Sequence, residues 1–217
     1  MPSIGFVHTV LGLPPVFADL AQELVPNADI FHIVDETLLG VTRKTGTLTP
    51  TTRRRVLGYV ESAADAGADL VVVTCSSIGP AVDASHAFVD VPVLRIDEPM
   101  ADEAVRLGTR IGVLATLATT LEPTAALVAR RGDEAGKDVD VVARVCEGAF
   151  DALMSGDPAT HDAMVAAALK ELATQVDVIA LAQASMARVV DSLSENERRT
   201  PILASPPLAV DYLATVL

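Results

Sequence analysis

The chain has 217 residues, enough for one large or two small domains, and half of them are hydrophobic while only 3% are aromatic. The net charge of −13 argues against nucleic acid as a partner, since a phosphate backbone requires a basic surface and the only basic cluster is at residues 53–55. The sequence starts without a charged and apolar leader, and no apolar run approaches the ~20 residues needed to span a bilayer. We therefore expect a cytoplasmic protein that does not associate with membranes.

Apolar runs separated by polar segments predict alternating strands and helices in the first part of the chain. In chain order these are a strand at residues 4–7, a helix at 17–24 after a break at 11–15, a strand at 30–34, a helix from 53 to 67 and a strand that begins at Asp69. Residues 37–50 form a polar connection rich in Gly and Thr, of a length that tends to be functional or disordered, and we leave open whether it is a lid.

The segment 69–80 reads DLVVVTCSSIGP, an apolar run that ends in a thiol and two hydroxyls. Its aliphatic residues do not alternate with polar ones, which indicates a strand buried on both faces in a parallel sheet covered by helices. Such sheets bind ligands at the carboxyl ends of their strands, where Cys75 could react and Ser76 and Ser77 could donate hydrogen bonds to an anion. The alternative is that Cys75 is simply a small buried hydrophobic residue.

The second half of the chain repeats the first. Asp177 and Gln183, in the segment DVIALAQ, follow Asp69 and Cys75 by 108 residues each, and IGVLAT at 111–116 resembles IGFVHT at 4–9. In chain order, the elements predicted after Cys75 are a helix to about residue 87, a strand at 91–96, a helix at 100–107, strands at 110–115 and 139–145, a helix opened by Asp157 and Pro158, a strand that begins at Asp177, a strand at 201–205 and a short terminal helix.

These elements predict an α/β protein made of two flavodoxin-like halves with parallel-dominated sheets, related by a pseudo-twofold axis. The first half would comprise residues 1–98 with 205–217, and the second residues 99–204. The carboxyl ends of the strands would face each other, so we expect the active site in the cleft between the halves.

The duplicated halves, TCSS at 74–77, IGVLATLAT at 111–119 and the polar patch at 182–185 resemble the aspartate/glutamate racemase superfamily. This superfamily includes glutamate, aspartate and hydantoin racemases, maleate isomerase and arylmalonate decarboxylase. The resemblance implies that each half supplies one cysteine, that one thiolate removes an α-proton while the other thiol returns a proton from the opposite face, and that no metal or organic cofactor is used. Cys75 matches the first cysteine, whereas Gln183 stands where the second is expected.

An amide is neither a proton donor nor an acceptor at neutral pH, although it can hydrogen-bond a carboxylate or an enolate oxygen. We therefore expect an isomerase or lyase in which Cys75 performs one-sided acid/base chemistry next to a carboxylate of a small organic acid, such as decarboxylation or isomerisation. The alternatives are an amino-acid or hydantoin racemase with His8 or Glu147 as second base, and a catalytically inactive member that binds an anion. Cys146 follows a different strand and is expected to be structural.

The resemblance also implies supporting roles. Thr116 and Thr119 match two threonines that bind the substrate carboxylate in glutamate racemase-like members, although strand-end hydroxyls can also cap a helix. His8 occupies the place of an acidic residue that assists the first cysteine, and it could hold the Cys75 thiolate as an ion pair with a pKa below the free value of about 8.5. The remaining residues expected at the substrate site are Thr9, Ser76, Ser77, Glu147 and Ser185, the last in place of a histidine. The other histidines are assigned no chemistry, the expected partner is a small carboxylic acid, and homo-oligomerisation is left open.

Overall fold

The computed structural model describes residues 1–216, except for the side chain of Asn196. These residues form eight β-strands and ten α-helices, and the strands build two parallel sheets with helices between them in sequence, which confirms the predicted α/β fold. The chain divides into two compact units, residues 1–98 with those from Pro206 on, and Pro99–Ser205. No helix within residues 1–216 is long and apolar enough to cross a membrane.

The sheet of the first unit is parallel, with the strand order β2-β1-β3-β4. Its strands are β1 (Ser3–His8), β2 (Asp29–Val34), β3 (Leu70–Val73) and β4 (Val93–Arg95), and its helices are α1 (Leu13–Leu24), α2 (Glu36–Thr45), α3 (Pro50–Asp65), α4 (Gly79–Ser85) and α10 (Ser205–Val216). The chain runs from β1 to β2 on one side and then crosses to β3 on the other, so the strand order reverses between β1 and β3. In open α/β sheets, ligands bind outside the carboxyl ends of the strands at this point.

Helices cover both faces of the first sheet, because successive side chains of each strand point to opposite faces. Phe6 packs in an apolar cluster with α1 and α10, whereas the next residue, Val7, packs in a separate cluster with α3 and α4. Gly5 allows α3 to approach β1 closely, since a Cβ at this position would come within 2.9 Å of the Phe31 ring and 3.1 Å of the Ala63 Cβ.

The prediction of an irregular connection over residues 37–50 is wrong, because most of this segment belongs to α2. Asp35 caps the helix by accepting a hydrogen bond from the Thr37 N–H at 3.0 Å, and the helix ends at Gly46, whose φ of 67° lies in the left-handed region that favours glycine. Leu38 is buried in the apolar cluster beneath the helix. Most of the segment is therefore a packed helix, and residues 46–49 connect it to α3.

The first helix also begins earlier than the sequence predicts. The sequence predicts a break at residues 11–15, but α1 starts at Leu13 and carries Pro14 and Pro15 in its first turn. Proline is tolerated there because the first N–H groups of a helix have no intrahelical acceptor.

The sheet of the second unit has the same plan, with the parallel order β6-β5-β7-β8. Its strands are β5 (Arg110–Ala115), β6 (Asp140–Val145), β7 (Val178–Leu181) and β8 (Ile202–Ala204), and its helices are α5 (Glu98–Leu107), α6 (Ala118–Glu134), α7 (Ala149–Met154), α8 (Pro158–Leu172) and α9 (Ala187–Ser192). The strand order here reverses between β5 and β7.

Equivalent hydrogen bonds anchor the strands of both units. The Asp69 carboxylate accepts from the N–H of Ser3 at 2.8 Å, and the Asp177 carboxylate accepts from the N–H groups of Thr109 and Arg110 at 3.0 and 2.8 Å. In each unit, the acidic residue that precedes the third strand is thus tied to the start of the first strand. The internal repeat of the sequence is present in the hydrogen bonding of the fold.

Candidate active site

Cys75 lies directly beyond the carboxyl end of β3, at the position where the strand order of the first sheet reverses. Its extended backbone (φ −129°, ψ 110°) leads into a 3₁₀ turn, Ser76–Ile78, in which the Ile78 N–H donates to the Cys75 carbonyl at 3.2 Å. Cys75 is partly exposed, whereas Ser76 and Ser77 are buried. Cys75 is therefore the least buried of these three residues, although its sulfur itself lies in a buried environment.

The surroundings of the Cys75 thiol favour its protonated form. Burial raises its pKa above the ordinary value, and the nearby donors of Thr9, Ser77 and Ile78 only partly oppose this rise. The Thr9 hydroxyl is buried and has no hydrogen-bond partner within residues 1–216, so its proton is available to a thiolate at Cys75. At neutral pH, Cys75 is thus a protonated thiol. The groups around it can donate hydrogen bonds to the sulfur when it becomes a thiolate.

A buried ion-pair cluster fixes the helix that follows Cys75. The Arg95 guanidinium donates to both carboxylate oxygens of Asp97 at 3.0 and 2.9 Å, and to Asp83 of α4 at 2.9 Å. It lies against Gly79, where a Cβ would overlap it. The cluster thereby ties the end of β4 to α4 and holds the start of that helix in place.

His8 is fully buried at the end of β1, and both of its ring nitrogens have partners. Nδ1 lies 2.8 Å from the Thr74 hydroxyl oxygen, and Nε2 lies 2.8 Å from Nδ1 of His32. Burial, with a smaller contribution from His32, lowers the pKa of His8 to about 4. The ring is therefore uncharged at neutral pH and supplies no imidazolium for a Cys75 thiolate, contrary to the expectation from the sequence.

Gln183 lies directly beyond the carboxyl end of β7, where the strand order of the second sheet reverses. Its Oε1 accepts hydrogen bonds from the N–H of Thr116 at 2.6 Å and from the Thr116 hydroxyl at 2.9 Å. Because a backbone N–H can only donate, the amide must turn its oxygen, and not its nitrogen, towards Thr116. Nε2 then points away from Thr116, and its two N–H groups have no hydrogen-bond partner within residues 1–216.

The two strand ends are built alike. In the first unit the Thr9 hydroxyl interacts with the Cys75 sulfur, and in the second the Thr116 hydroxyl donates to Gln183 Oε1. Gln183 also has an extended backbone (φ −139°, ψ 135°) that leads into a 3₁₀ turn, Ala184–Met186. Gln183 therefore occupies in the second unit the place that Cys75 occupies in the first.

The other predicted site residues of the second unit differ in their surroundings. Ser185 is partly buried in the turn after Gln183, and Thr119 lies in the first turn of α6 with a buried hydroxyl that has no hydrogen-bond partner in the described part of the chain. Glu147 is exposed beyond β6. Cys146, just before it, is buried in an apolar cluster, which raises the pKa of its thiol. Thr116, Thr119 and Gln183 thus share the carboxyl edge of the second sheet.

The donors at the two edges suit an oxyanion better than a metal ion. Within residues 1–216 there is no group of three or more His, Cys, Asp or Glu side chains that could hold a metal. The groups present are hydroxyls, backbone N–H groups and an amide, which hydrogen-bond carboxylate or carbonyl oxygens.

The family model for Asp/Glu/Hydantoin racemase matches residues 15–213. The chain belongs to this family. It is similar to the glutamate racemase of Pseudomonas entomophila (strain L48), with 25% identity over 156 residues that cover 71% of this chain and 57% of that protein. The match thus spans little more than half the length of that relative.

Solved structures of the racemase family share the fold. Glutamate racemase isoform RacE1 from Bacillus anthracis aligns with a TM-score of 0.73 and 20% identity, over 100% of this chain and 81% of that chain. Allantoin racemase from Klebsiella pneumoniae aligns with a TM-score of 0.71 and 18% identity, over 100% of this chain and 87% of that chain. At these identities the likeness establishes the architecture alone.

Proposed function

We propose that the chain is a cofactor-independent isomerase or lyase of the racemase family in which Cys75 performs one-sided thiol acid/base chemistry. The reaction takes place at the carbon next to a carboxylate of a small organic acid. The observation that carries the proposal is that Gln183 occupies the place in the second unit that Cys75 occupies in the first. Two-base racemisation requires a group that exchanges protons on each face of a carbanion, and an amide does not do so at neutral pH.

The protonation state of Cys75 supports the role of a proton donor. In a decarboxylation, the bond from the α-carbon to the departing carboxylate breaks, CO₂ leaves, and the electron pair remains as an enediolate with the second carboxylate. The Cys75 S–H then transfers its proton to the α-carbon, and water returns a proton to the thiolate. The raised pKa of Cys75 keeps this proton on the sulfur until the carbanion forms.

The donors around the sulfur support the second half of this cycle. Once Cys75 has lost its proton, the Thr9 hydroxyl, the Ser77 hydroxyl and N–H, and the Ile78 N–H can stabilise the thiolate. An isomerisation by addition to a double bond needs the thiolate as the starting form, because the thiolate is the nucleophile. The buried, protonated thiol therefore favours decarboxylation over isomerisation within the proposed class.

Racemisation of an amino acid or a hydantoin is the second candidate. The names of the relatives favour it, since they are described as glutamate and allantoin racemases. This chain would need a second base in place of the missing thiol. His8 has both ring nitrogens engaged by Thr74 and His32, and Glu147 follows β6 and not β7, the strand that leads to Gln183.

The test is a screen of 2-substituted malonates and other small carboxylic acids in D₂O, with CO₂ release and the stereochemistry of the product as readouts. We expect turnover that places deuterium in one enantiomer only. Cys75→Ala should abolish this turnover, and Cys146→Ala should retain it as the matched thiol control.

Two other results would contradict the proposal, and each would support one of the alternative functions. Wild-type protein that racemises a chiral acid and places solvent deuterium in both enantiomers would establish the second candidate. No turnover on any acid, together with Cys75 alkylation by iodoacetamide at the rate of an ordinary thiol, would indicate a catalytically inactive member that binds an anion.

A further inference from the structure

The hydrogen-bond donors of Thr116 are already occupied. Its N–H and its hydroxyl converge on Gln183 Oε1 at 2.6 and 2.9 Å, and two such bonds use both lone pairs of an amide oxygen. Thr116 is only 4% exposed. A carboxylate could reach these donors only by displacing the Gln183 side chain, so Thr116 is poorly placed to be the carboxylate ligand that the family resemblance implies.

We propose that Gln183 itself binds an oxygen of the substrate, through the two hydrogens of Nε2, and that Thr116 is the residue that positions it. Gln183 is partly exposed at the strand end where ligands of such sheets bind, and Nε2 has no other hydrogen-bond partner within residues 1–216. This inference rests on the proposed function, in which the substrate is a small carboxylic acid. It adds the group that is recognised, a carboxylate or carbonyl oxygen that accepts hydrogen bonds from a neutral amide.

The contacts with Thr116 explain why this amide is a good donor. Two bonds to Oε1 hold the amide plane in one orientation, so less conformational entropy is lost when a ligand binds. They also polarise the amide, because hydrogen bonds at the oxygen strengthen donation from the nitrogen. Position 183 therefore supplies a fixed donor in place of a proton-transfer group.

The anion ligand is either Thr116 or Gln183, and these two possibilities predict opposite effects of removing the Gln183 side chain. If Thr116 is the ligand, Gln183→Ala frees the N–H and hydroxyl of Thr116, and an anion should bind as well as before or more tightly. If Gln183 is the ligand, the same variant loses the donor and binds more weakly.

Isothermal titration calorimetry of the full chain with malonate, at pH 8, distinguishes these cases. We expect Gln183→Ala and Gln183→Glu to weaken malonate binding by about tenfold or more, which corresponds to about 1.4 kcal/mol. The Glu variant can still accept from Thr116, but its second oxygen offers the ligand no proton. The control is Gln175→Ala, since the Gln175 amide donates to the Glu171 carbonyl at 3.3 Å and precedes β7, at the opposite edge of the sheet. This control should bind malonate like the wild type.

The positioning role of Thr116 has its own readout. Thr116→Val keeps the backbone N–H and removes only the hydroxyl, so malonate affinity should fall by a smaller factor of about threefold, and Thr116→Ser should restore it. Equal midpoints of thermal unfolding among the variants would show that the losses are losses of binding.

Unchanged or tighter malonate binding by Gln183→Ala would overturn the inference, and so would wild-type protein that binds neither malonate nor maleate. These outcomes do not test the proposed function, because that function is tested by turnover that depends on Cys75. A Cys75→Ala protein that binds malonate normally and loses that binding on addition of Gln183→Ala would support the inference even if no turnover were found.

Discussion

Replacement of Arg95 by methionine should destabilise the protein by about 3–5 kcal/mol, because it removes the cation from beside a fully buried carboxylate. Arg95 is 2% exposed and Asp97 0% exposed, and the two are joined by hydrogen bonds of 3.0 and 2.9 Å. Each charge-assisted bond of this kind contributes about 1.5–3 kcal/mol. The contact with Asp83 adds less, since that carboxylate is 27% exposed and an ion pair near the surface contributes about 1 kcal/mol or less.

The assay is urea unfolding followed by circular dichroism, on the wild type, Arg95→Met, Asp83→Asn and the double variant Arg95→Met/Asp97→Leu. The double variant should recover a large part of the loss, because it buries neither charge of the Arg95–Asp97 pair. A cost of less than about 1 kcal/mol for Arg95→Met would refute the reasoning, since that value is typical of an exposed pair.

Three further predictions concern the titration of His8 and the positions of the thiols. The pKa of His8 falls from 6.5 to about 4 on folding. Between pH 6.5 and 4 the unfolded chain therefore binds a proton that the folded chain does not, and about 3 kcal/mol of stability should be lost as the pH falls through this interval. Unfolding free energies measured against pH should show a flatter slope for His8→Gln, and an identical slope would contradict the assignment. Cys146→Ala should cost about 1 kcal/mol in denaturant unfolding and leave turnover intact, whereas loss of turnover would place Cys146 in the active site. Gln183→Cys supplies a second thiol and should allow weak racemisation, detected as lost stereochemical purity by chiral chromatography; a product that remains a single enantiomer would count against the equivalence of the two strand ends.

The strands could be predicted because a parallel strand covered on both faces leaves a continuous aliphatic run. Val71, Val72 and Val73 are each at most 1% exposed, and no alternating pattern interrupts them. The helix α2 left no such signal, since only Leu38 and Thr42 of its ten residues are buried. Its existence depends on the Asp35 cap and on contacts with the core, which a helical hydrophobic pattern does not reveal.

The site residues could be placed at strand ends because the continuous aliphatic runs show where the strands end. The hydrogen-bond partners of these residues could not be predicted. The sequence gives His32 no evident role, yet its ring nitrogen lies 2.8 Å from that of His8, 24 residues earlier in the chain. Arg95 left a weak signal, a charged residue at the end of the aliphatic strand VPVLRI, but nothing local indicated that its partners would be Asp83 and Asp97. Which side chains meet is decided by the register of neighbouring strands and helices, and the periodicity of a single segment does not contain that information.

The two strand ends indicate how the racemase fold can change its chemistry at one position without rebuilding the backbone. Cys75 and Gln183 both have extended backbones that lead into a 3₁₀ turn, and each has the hydroxyl of a threonine beside its side chain, Thr9 for Cys75 and Thr116 for Gln183. That hydroxyl stabilises a thiolate when the acceptor is sulfur, and it orients a donor when the acceptor is an amide oxygen. Under the proposed function, the thiol would return a proton to carbon and the amide would hold an oxygen of the substrate. The proposed reaction delivers a single proton from a single direction, and Gln183→Cys, which changes one side chain and leaves Thr116 in place, is therefore the substitution expected to allow racemisation.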